Sequence, residues 1–241
     1  MIMNLYRAID RNRFQFDFLY FTDEECDYDK EIVLLGGKIY RLPSEKSSNP
    51  ISKTIAIYHF LKNENHINTV HCHMLLNSGF HLLGAYMSGV KHRIVHSHSI
   101  NNKTKRKALY NLLYKRISKM LIKNFATQFI ACGKQAGAFL FPKDEKIIFL
   151  PNAIDTFVFN EISKKNNNFL NDHLNISDDK LIIVQIGRLH PIKNHKFSIR
   201  LAQFMKESNK KFHFVFVGAG PLLEEIEKEV EKNDLKGDIS F

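Results

Sequence analysis

The sequence predicts an α/β protein with two Rossmann-like units, each with a mainly parallel sheet. Helical and strand-like segments alternate along most of the 241 residues, and such alternation gives right-handed crossovers between parallel strands. A polar stretch rich in Asn and Lys, residues 160–175, interrupts the alternation. We therefore expect a first unit over residues 1–158, a connection over 159–178 and a second unit over 179–241.

Composition limits the class of protein. Hydrophobic residues make up 44% of the chain, enough for a core at this length. No apolar run is long enough to predict a transmembrane helix and no signal peptide pattern begins the chain, so we expect a cytoplasmic protein. Cys26, Cys72 and Cys132 form no C-x-x-C pair, which predicts reduced thiols rather than disulfides or a cysteine zinc site. The formal net charge of +10 indicates an anionic partner: nucleic acid, a lipid surface or a phosphorylated small molecule.

The first elements form a helix and two strands. Residues 4–13 predict a helix, and residues 14–21 alternate as a strand does. An acidic loop over 22–30 precedes a short helical piece, and the glycines at 36–37 turn the chain into a strand over 38–43.

Helices and strands then alternate to the end of the first unit. Helices are predicted by apolar spacing over residues 51–64, 77–89, 104–125 and 134–141. Strands are predicted over residues 67–73, 93–99, 128–132 and 146–150. Gly89 suits the end of its helix, because glycine adopts the left-handed conformation of a helix C-terminus.

The second unit repeats the pattern. A buried strand begins at Leu181, an amphipathic helix follows over 195–208, and a second strand covers 212–217. Pro221 suits the first turn of the next helix, where acidic residues also favour the positive helix end. A third strand is predicted over 238–241.

Two glycine-bearing loops follow the first two strands of this unit. They supply Gly187, Arg188, Lys193 and Asn194, and then Gly218, Gly220 and Pro221. A strand that runs through such a loop into a helix is a place where phosphate binds. Two cations in one loop match a diphosphate, and Asn194 is predicted to cap the next helix. The alternative is ordinary turn glycines with a solvated Arg and Lys.

The same loops resemble those of a known family. Gly187-Arg188-Leu189 with Lys193-Asn194, and Val217 to Leu222, are similar to the two donor-binding loops of the retaining, nucleotide-sugar-dependent glycosyltransferases of family 4. Residues 16–19 and 35–43 resemble its exopolysaccharide and capsule members. The resemblance implies a GT-B fold and transfer of a sugar from a nucleotide diphosphate sugar to a saccharide or lipid-linked acceptor. It implies no cofactor and no metal, since Arg188 and Lys193 would neutralise the diphosphate.

The resemblance also implies that the chain is truncated at both ends. Family members begin with a strand and a glycine loop that are missing here, and they continue to a pair of glutamates that hold the donor. The alternative function is an inactive remnant that binds nucleotide or serves as a partner subunit.

Two His-x-His pairs, His71/His73 and His96/His98, lie near the ends of predicted strands. Residues two apart on a strand share a face, and four imidazoles could ligate zinc. No carboxylate partner stands nearby, so we expect no metal site. The resemblance instead implies that His98 lies beside the transferred sugar and is catalytic. We expect His71 and His73 to be hydrogen-bonded histidines at a strand end.

Residues 101–125 contain eight Lys and Arg and no acidic residue. Apolar residues at helical spacing make the segment amphipathic. Its cations either form the solvated face of a core helix or contact anionic lipid or a lipid-linked diphosphate, with Lys115, Arg116 and Lys119 as candidates. We expect no nucleic acid partner, because no helix-turn-helix, zinc or single-strand-binding pattern accompanies the charge.

Overall fold

The computed structural model describes residues 2–42, 49–99, 108–165 and 168–241. The chain divides into two compact units, Met1–Asp155 and Thr156–Phe241. Every strand pairing in the described residues is parallel. The predicted α/β fold class with parallel sheets is therefore confirmed.

The first unit contains six helices and six strands among its described residues. The helices are α1 Ile2–Ala8, α2 Asp29–Leu34, α3 Pro50–Asn63, α4 Ser78–Ser88, α5 Ala108–Phe125 and α6 Lys134–Leu140. The strands are β1 Phe18–Tyr20, β2 Ile39–Arg41, β3 Thr69–Cys72, β4 His92–Ser97, β5 Gln128–Ala131 and β6 Ile147–Phe149. Strands β1 and β2 form one sheet, and β3-β4-β5-β6 form another in that order. The first four residues of the predicted 104–125 helix lie outside the described residues.

Close helix packing positions the larger sheet of this unit. A methyl group on Gly79 of α4 would lie 2.6 Å from the carbonyl oxygen of Ser118 in α5, so only glycine allows this approach. Gly89 ends α4 at a φ of 92°, which confirms it as the helix stop. The core between helices and sheet includes Val95 and Ile122, both fully buried.

The second unit contains four helices and three strands among its described residues. The helices are α7 Thr156–Lys165, α8 Phe169–Leu174, α9 His195–Glu207 and α10 Leu223–Lys232. The strands are β7 Leu181–Ile186, β8 Phe212–Val217 and β9 Ile239–Ser240, paired in the order β7-β8-β9. Helices α7 and α8 occupy most of the segment predicted as a polar connection. The polar composition of this segment did not indicate the two helices. The apolar residues of α7, such as Phe159 and Ile162, are scattered and stay exposed.

Strand β8 forms the centre of this unit. Phe214 and Phe216 are buried among Leu189, Ile199 and Ile226, which come from the first loop, α9 and α10. None of the described helices of the chain combines the length and the hydropathy that crossing a membrane requires.

Pro221 does not lie in the first turn of α10, contrary to the sequence-based expectation, because the helix begins at Leu223. The backbone N–H of Leu222 donates instead to the carbonyl oxygen of Leu189 over 3.2 Å. Pro221 therefore belongs to a turn that is still attached to the neighbouring loop.

Candidate functional site

The two glycine loops of the second unit lie side by side. The pairing of β7 with β8 continues past the strand ends, because Gly187 N–H donates to the carbonyl oxygen of Val217 over 2.9 Å and Leu189 N–H donates to that of Ala219 over 3.0 Å. The residues that the sequence singled out in separate motifs are thus brought together at the carboxyl edge of one parallel sheet, where α/β proteins bind ligands.

Glycine is required where the loops touch. A methyl group on Gly218 would overlap the carbonyl oxygen of Gly187, and one on Gly220 would overlap that of Leu189. Gly218 also has a φ of 145°, which side chains rarely permit. The two loops therefore approach backbone to backbone, and this contact needs both glycines.

Lys193 lies across the first loop. A methyl group on Gly187 would stand 3.1 Å from Lys193 Cε and 3.5 Å from its Nζ, so the ammonium lies directly over the glycine. Lys193 and Arg188 are both exposed, and neither has a carboxylate ion-pair partner among the described residues. Other lysines of the unit do: Lys196 pairs with Glu225 at 2.6 Å. The loop thus presents two cations whose charge no carboxylate neutralises.

Gln185, which was not predicted from the sequence, holds this loop. Its Nε2 donates to the backbone carbonyl oxygen of Lys193 over 2.8 Å, and its Oε1 accepts from the hydroxyl of Ser198 on α9 over 2.6 Å. The available signal was one polar residue within the apolar strand Leu181–Ile186. The amide of Gln185 is half-buried next to the loop, and the loop backbone supplies one of its hydrogen-bond partners.

Asn194 precedes α9, but it does not cap the helix as predicted. Its φ of 53° is left-handed and its side chain makes no capping hydrogen bond. A side-chain cap needs an extended backbone at this position, whereas Asn194 ends the preceding 3₁₀ turn, Pro191–Lys193. Asparagine is one of the few residues other than glycine that adopt this conformation readily.

The charge of Lys193 in the first loop acts on His195 at the start of α9. His195 is buried against the ring of Phe216, with ring centroids 5.2 Å apart. Burial lowers the pKa of His195, and the charge of Lys193 lowers it further.

His195 and Asn194 help to line a cavity of about 250 Å³ beside α10, and Arg188 and Lys193 are not among its lining residues.

In the first unit, four imidazoles gather at the carboxyl ends of β3 and β4. The ring centroids of His71 and His73 are 4.2 Å apart, and those of His96 and His98 are 4.1 Å apart. His73 Nδ1 and His98 Nε2 share a hydrogen bond of 2.8 Å. Burial lowers the pKa of His71 and of His96 to about 4 and that of His73 to about 2, and it also lowers that of His98. The imidazoles are therefore neutral at physiological pH.

The expectation that His71 and His73 are both satisfied strand-end histidines is wrong for His71. His71 Nε2 is buried without a hydrogen-bond partner among the described residues, and so are both ring nitrogens of His96. The nearest rings are other imidazoles, and His71 lies nearly parallel to His96 with ring centroids 5.5 Å apart.

Helix α5 does not place all of its apolar residues in the core. Tyr114, Leu121 and Ile122 face inward, whereas four others lie on the outer surface. Their exposed fractions are 79% for Leu109, 65% for Leu112, 57% for Leu113 and 53% for Met120.

The three candidate cations of α5 differ in their surroundings. Arg116 is exposed and Lys115 is half-buried. Lys119 Nζ lies 5.4 Å from the ring centroid of Phe139, and burial together with Lys115 lowers the pKa of Lys119. Arg116 is thus the most available of the three to a partner. Lys103, Lys105, Arg106 and Lys107 lie outside the described residues.

Comparison with known proteins supports the resemblance seen in the loops. Residues 166–241 match the family model described as glycosyl transferases group 1. EpsF of Bacillus subtilis (strain 168), which carries a glycosyltransferase assignment, is 37% identical over 251 residues, covering 100% of this chain and 63% of EpsF. The capsular polysaccharide biosynthesis glycosyltransferase CapH of Staphylococcus aureus is 28% identical over 225 residues, covering 90% of this chain and 57% of CapH.

Solved structures agree on the fold. The crystal structure of Anabaena Alr3699/HepE in complex with UDP superposes with a TM-score of 0.70 at 15% sequence identity, covering 100% of this chain and 63% of that one. The chain thus spans about three fifths of the length of the relatives it matches. It is similar along its whole length to glycosyltransferases, its residues 166–241 match the group 1 glycosyl transferase family, and it has the α/β fold of the GT-B glycosyltransferases.

Proposed function

We propose that this chain is part of a glycosyltransferase that moves a sugar from a nucleotide diphosphate sugar to a saccharide or lipid-linked acceptor in the synthesis of a surface polysaccharide. The observation that carries the proposal is the pair of cations, Arg188 and Lys193, on a loop that is bonded to a second glycine loop. The glycosyltransferase assignments of EpsF and CapH support sugar transfer, and the UDP bound in HepE supports a nucleotide diphosphate sugar as the donor.

The two cations act on the leaving group. As the bond from the sugar to the diphosphate breaks, negative charge grows on the diphosphate oxygens, and Arg188 and Lys193 stabilise that charge. This is the electrostatic task that a divalent ion performs in other enzymes. The donor diphosphate therefore needs no metal of its own, and the nucleotide sugar is a substrate rather than a cofactor. Gly187, Gly218 and Gly220 allow the backbone of both loops to approach the phosphates closely.

His98 acts on the sugar. Its neutral ring can donate a hydrogen bond to a sugar hydroxyl or accept one from it. Through this bond it helps to stabilise the positive charge that develops at the anomeric carbon. The hydrogen bond between His98 Nε2 and His73 Nδ1 fixes the orientation of the ring. We propose transfer with retention at the anomeric carbon, as the resemblance to family 4 implies.

The acceptor side involves a membrane surface. Helix α5 exposes Leu109, Leu112 and Leu113 next to Lys115 and Arg116. Apolar side chains flanked by cations suit the boundary between the head groups and acyl chains of an anionic bilayer. We propose that α5 holds the protein peripherally at the cytoplasmic face of the membrane, where a lipid-linked acceptor is available.

The donor site is tested with Arg188→Ala and Lys193→Ala in the full chain. Each removes a charge-assisted hydrogen bond worth about 1.5–3 kcal/mol, so we expect roughly tenfold or greater loss of affinity for a nucleoside diphosphate. Calorimetric titration with UDP, GDP and ADP measures this and identifies the base. Lys211→Ala is the matched control, because Lys211 is ion-paired with Asp179 in the same unit. Equal affinity in all three variants and the wild type would refute the assignment.

A further inference from the structure

The strand register places three histidines around one point. Strands β3 and β4 are parallel neighbours, with His71 opposite Ile94 and Cys72 opposite Val95. One step further along the chains, His73 stands beside His96. Because alternate residues of a strand share a face, His71 and His73 project on the same side of the sheet as His96. Two His-x-His pairs on adjacent strands therefore converge, which neither pair alone would predict.

The ring nitrogens of this trio form a compact donor set. His71, His73 and His96 each offer one nitrogen, and these three atoms all lie within 4.8 Å of one another. His96 is fully buried, yet both of its ring nitrogens lack a partner among the described residues, as does Nε2 of His71. A buried polar atom without a partner is costly, and a single ion could bind Nε2 of His71 together with one ring nitrogen of His96.

We propose that His71, His73 and His96 bind one divalent transition-metal ion of the zinc class. Imidazole nitrogen is a preferred ligand for zinc, copper and nickel, whereas magnesium and calcium prefer oxygen. Zinc–nitrogen distances of 2.0–2.1 Å put tetrahedral ligand atoms about 3.4 Å apart, so the rings approach one another slightly on binding. Three protein ligands leave a fourth position for water or another small ligand.

His98 completes the arrangement from outside. Its Nε2 shares the 2.8 Å hydrogen bond with His73 Nδ1, which leaves the other nitrogen of His73 for the ion. Metal-bound histidines usually have such a hydrogen bond on the second nitrogen, and it fixes the tautomer and the ring orientation. The second His-x-His pair thus supplies both a ligand, His96, and an orienting partner, His98.

The test is metal binding by the full 241-residue chain, first stripped with a chelator and then titrated with zinc or cobalt. We expect one ion per chain, the visible absorption of nitrogen-coordinated cobalt, and a higher melting temperature with zinc. His71→Gln and His96→Gln should each weaken binding by more than about 100-fold, since even loss of an outer partner costs roughly 10–100-fold. His98→Gln should fall within that smaller range.

His81→Gln is the matched control, because His81 is a buried histidine of the same unit outside the cluster, and it should bind the ion as the wild type does. If the cluster variants bind zinc as tightly as the control, the ion is held by surface histidines and the proposal is wrong. Should the variants fail to fold, X-ray absorption of the zinc-loaded wild type decides, and fewer than three imidazole ligands would overturn the site. No nucleotide is needed, so the result is independent of the proposed transferase activity.

Discussion

The side-chain amide of Gln185 connects the strand β7 to the carbonyl oxygen of Lys193, over 2.8 Å, and to the hydroxyl of Ser198, over 2.6 Å. One residue in the strand thereby fixes both the end of the cationic loop and the first turns of α9. Lys193 is otherwise exposed and lies in a loop without an ion pair among the described residues. Its position over Gly187 therefore depends on a hydrogen bond to its backbone rather than on its own side chain.

We expect Gln185→Leu to weaken nucleoside diphosphate binding while leaving the unit folded. The substitution removes two hydrogen bonds, each worth about 0.5–1.5 kcal/mol, and it frees the loop that carries Lys193. The expected loss of UDP affinity is several-fold, measured by calorimetry. Gln203→Leu is the control, since Gln203 donates to Asn233 over 2.8 Å on another face of the same unit. Equal losses in the two variants would mean that only general stability had changed.

Gly218→Ala should disrupt the contact between the loops. The left-handed backbone alone costs roughly 1–3 kcal/mol with a side chain, and the new methyl group overlaps the carbonyl oxygen of Gly187. We expect a lower free energy of unfolding for the second unit and loss of UDP binding. Gly237→Ala serves as the control because its methyl group would meet nothing within 4 Å. If Gly218→Ala binds UDP normally, the close approach of the loops has no part in the site.

Apart from α7 and α8, the sequence predicted the order of helices and strands, because each signal was local. Gly89 ends α4 as expected, since a single glycine can be recognised without knowledge of its neighbours in space. The two loop motifs were also readable, because their glycines and cations follow the strands directly. Their contact through Gly218 and Gly187 was not, because it depends on the pairing of β7 with β8.

What the sequence left out depends on tertiary contacts. The role of Gln185 was not predicted, because its partners, Lys193 and Ser198, come close to it only in the folded loop. The outward position of Leu113 was not predicted, because helical spacing identifies an apolar face of a helix but does not show whether that face packs on the core. The convergence of His73 with His96 required the register of two strands, and no pattern within either strand reports it.

His81 should make the stability of the first unit depend on pH. It is buried and stacked on Phe21 with ring centroids 5.0 Å apart. Burial lowers its pKa to about 4, with a further contribution from Lys53. Because the folded pKa is below the unfolded value of about 6.5, the unfolded chain binds more protons between these values. Stability is therefore fully present above about pH 6.5 and falls as the pH drops towards 4.

We expect His81→Gln to remove on the order of 2–3 kcal/mol of this pH dependence between about pH 7.5 and about pH 4.5. Urea unfolding followed by circular dichroism at each pH, with a chelator present, measures the difference between the variant and the wild type. His92→Gln makes the same substitution at an exposed position and serves as the control. An identical slope for His81→Gln and the wild type would show that the imidazole is not held neutral by the fold.

The outer surface of helix α5 combines exposed leucines with cations, and we expect it to bind anionic membranes. Each basic residue near an anionic bilayer contributes about 1 kcal/mol, so Lys115→Gln/Arg116→Gln should lower partitioning to vesicles containing phosphatidylserine by roughly 30-fold, with a weaker dependence on salt. Leu109→Ser/Leu113→Ser should lower it at every salt concentration, because apolar insertion is not screened. Lys62→Gln/Lys91→Gln makes the same charge change at exposed positions elsewhere in the unit. If that control loses as much binding as the α5 charge variant, the attraction comes from net charge and α5 is not the docking surface.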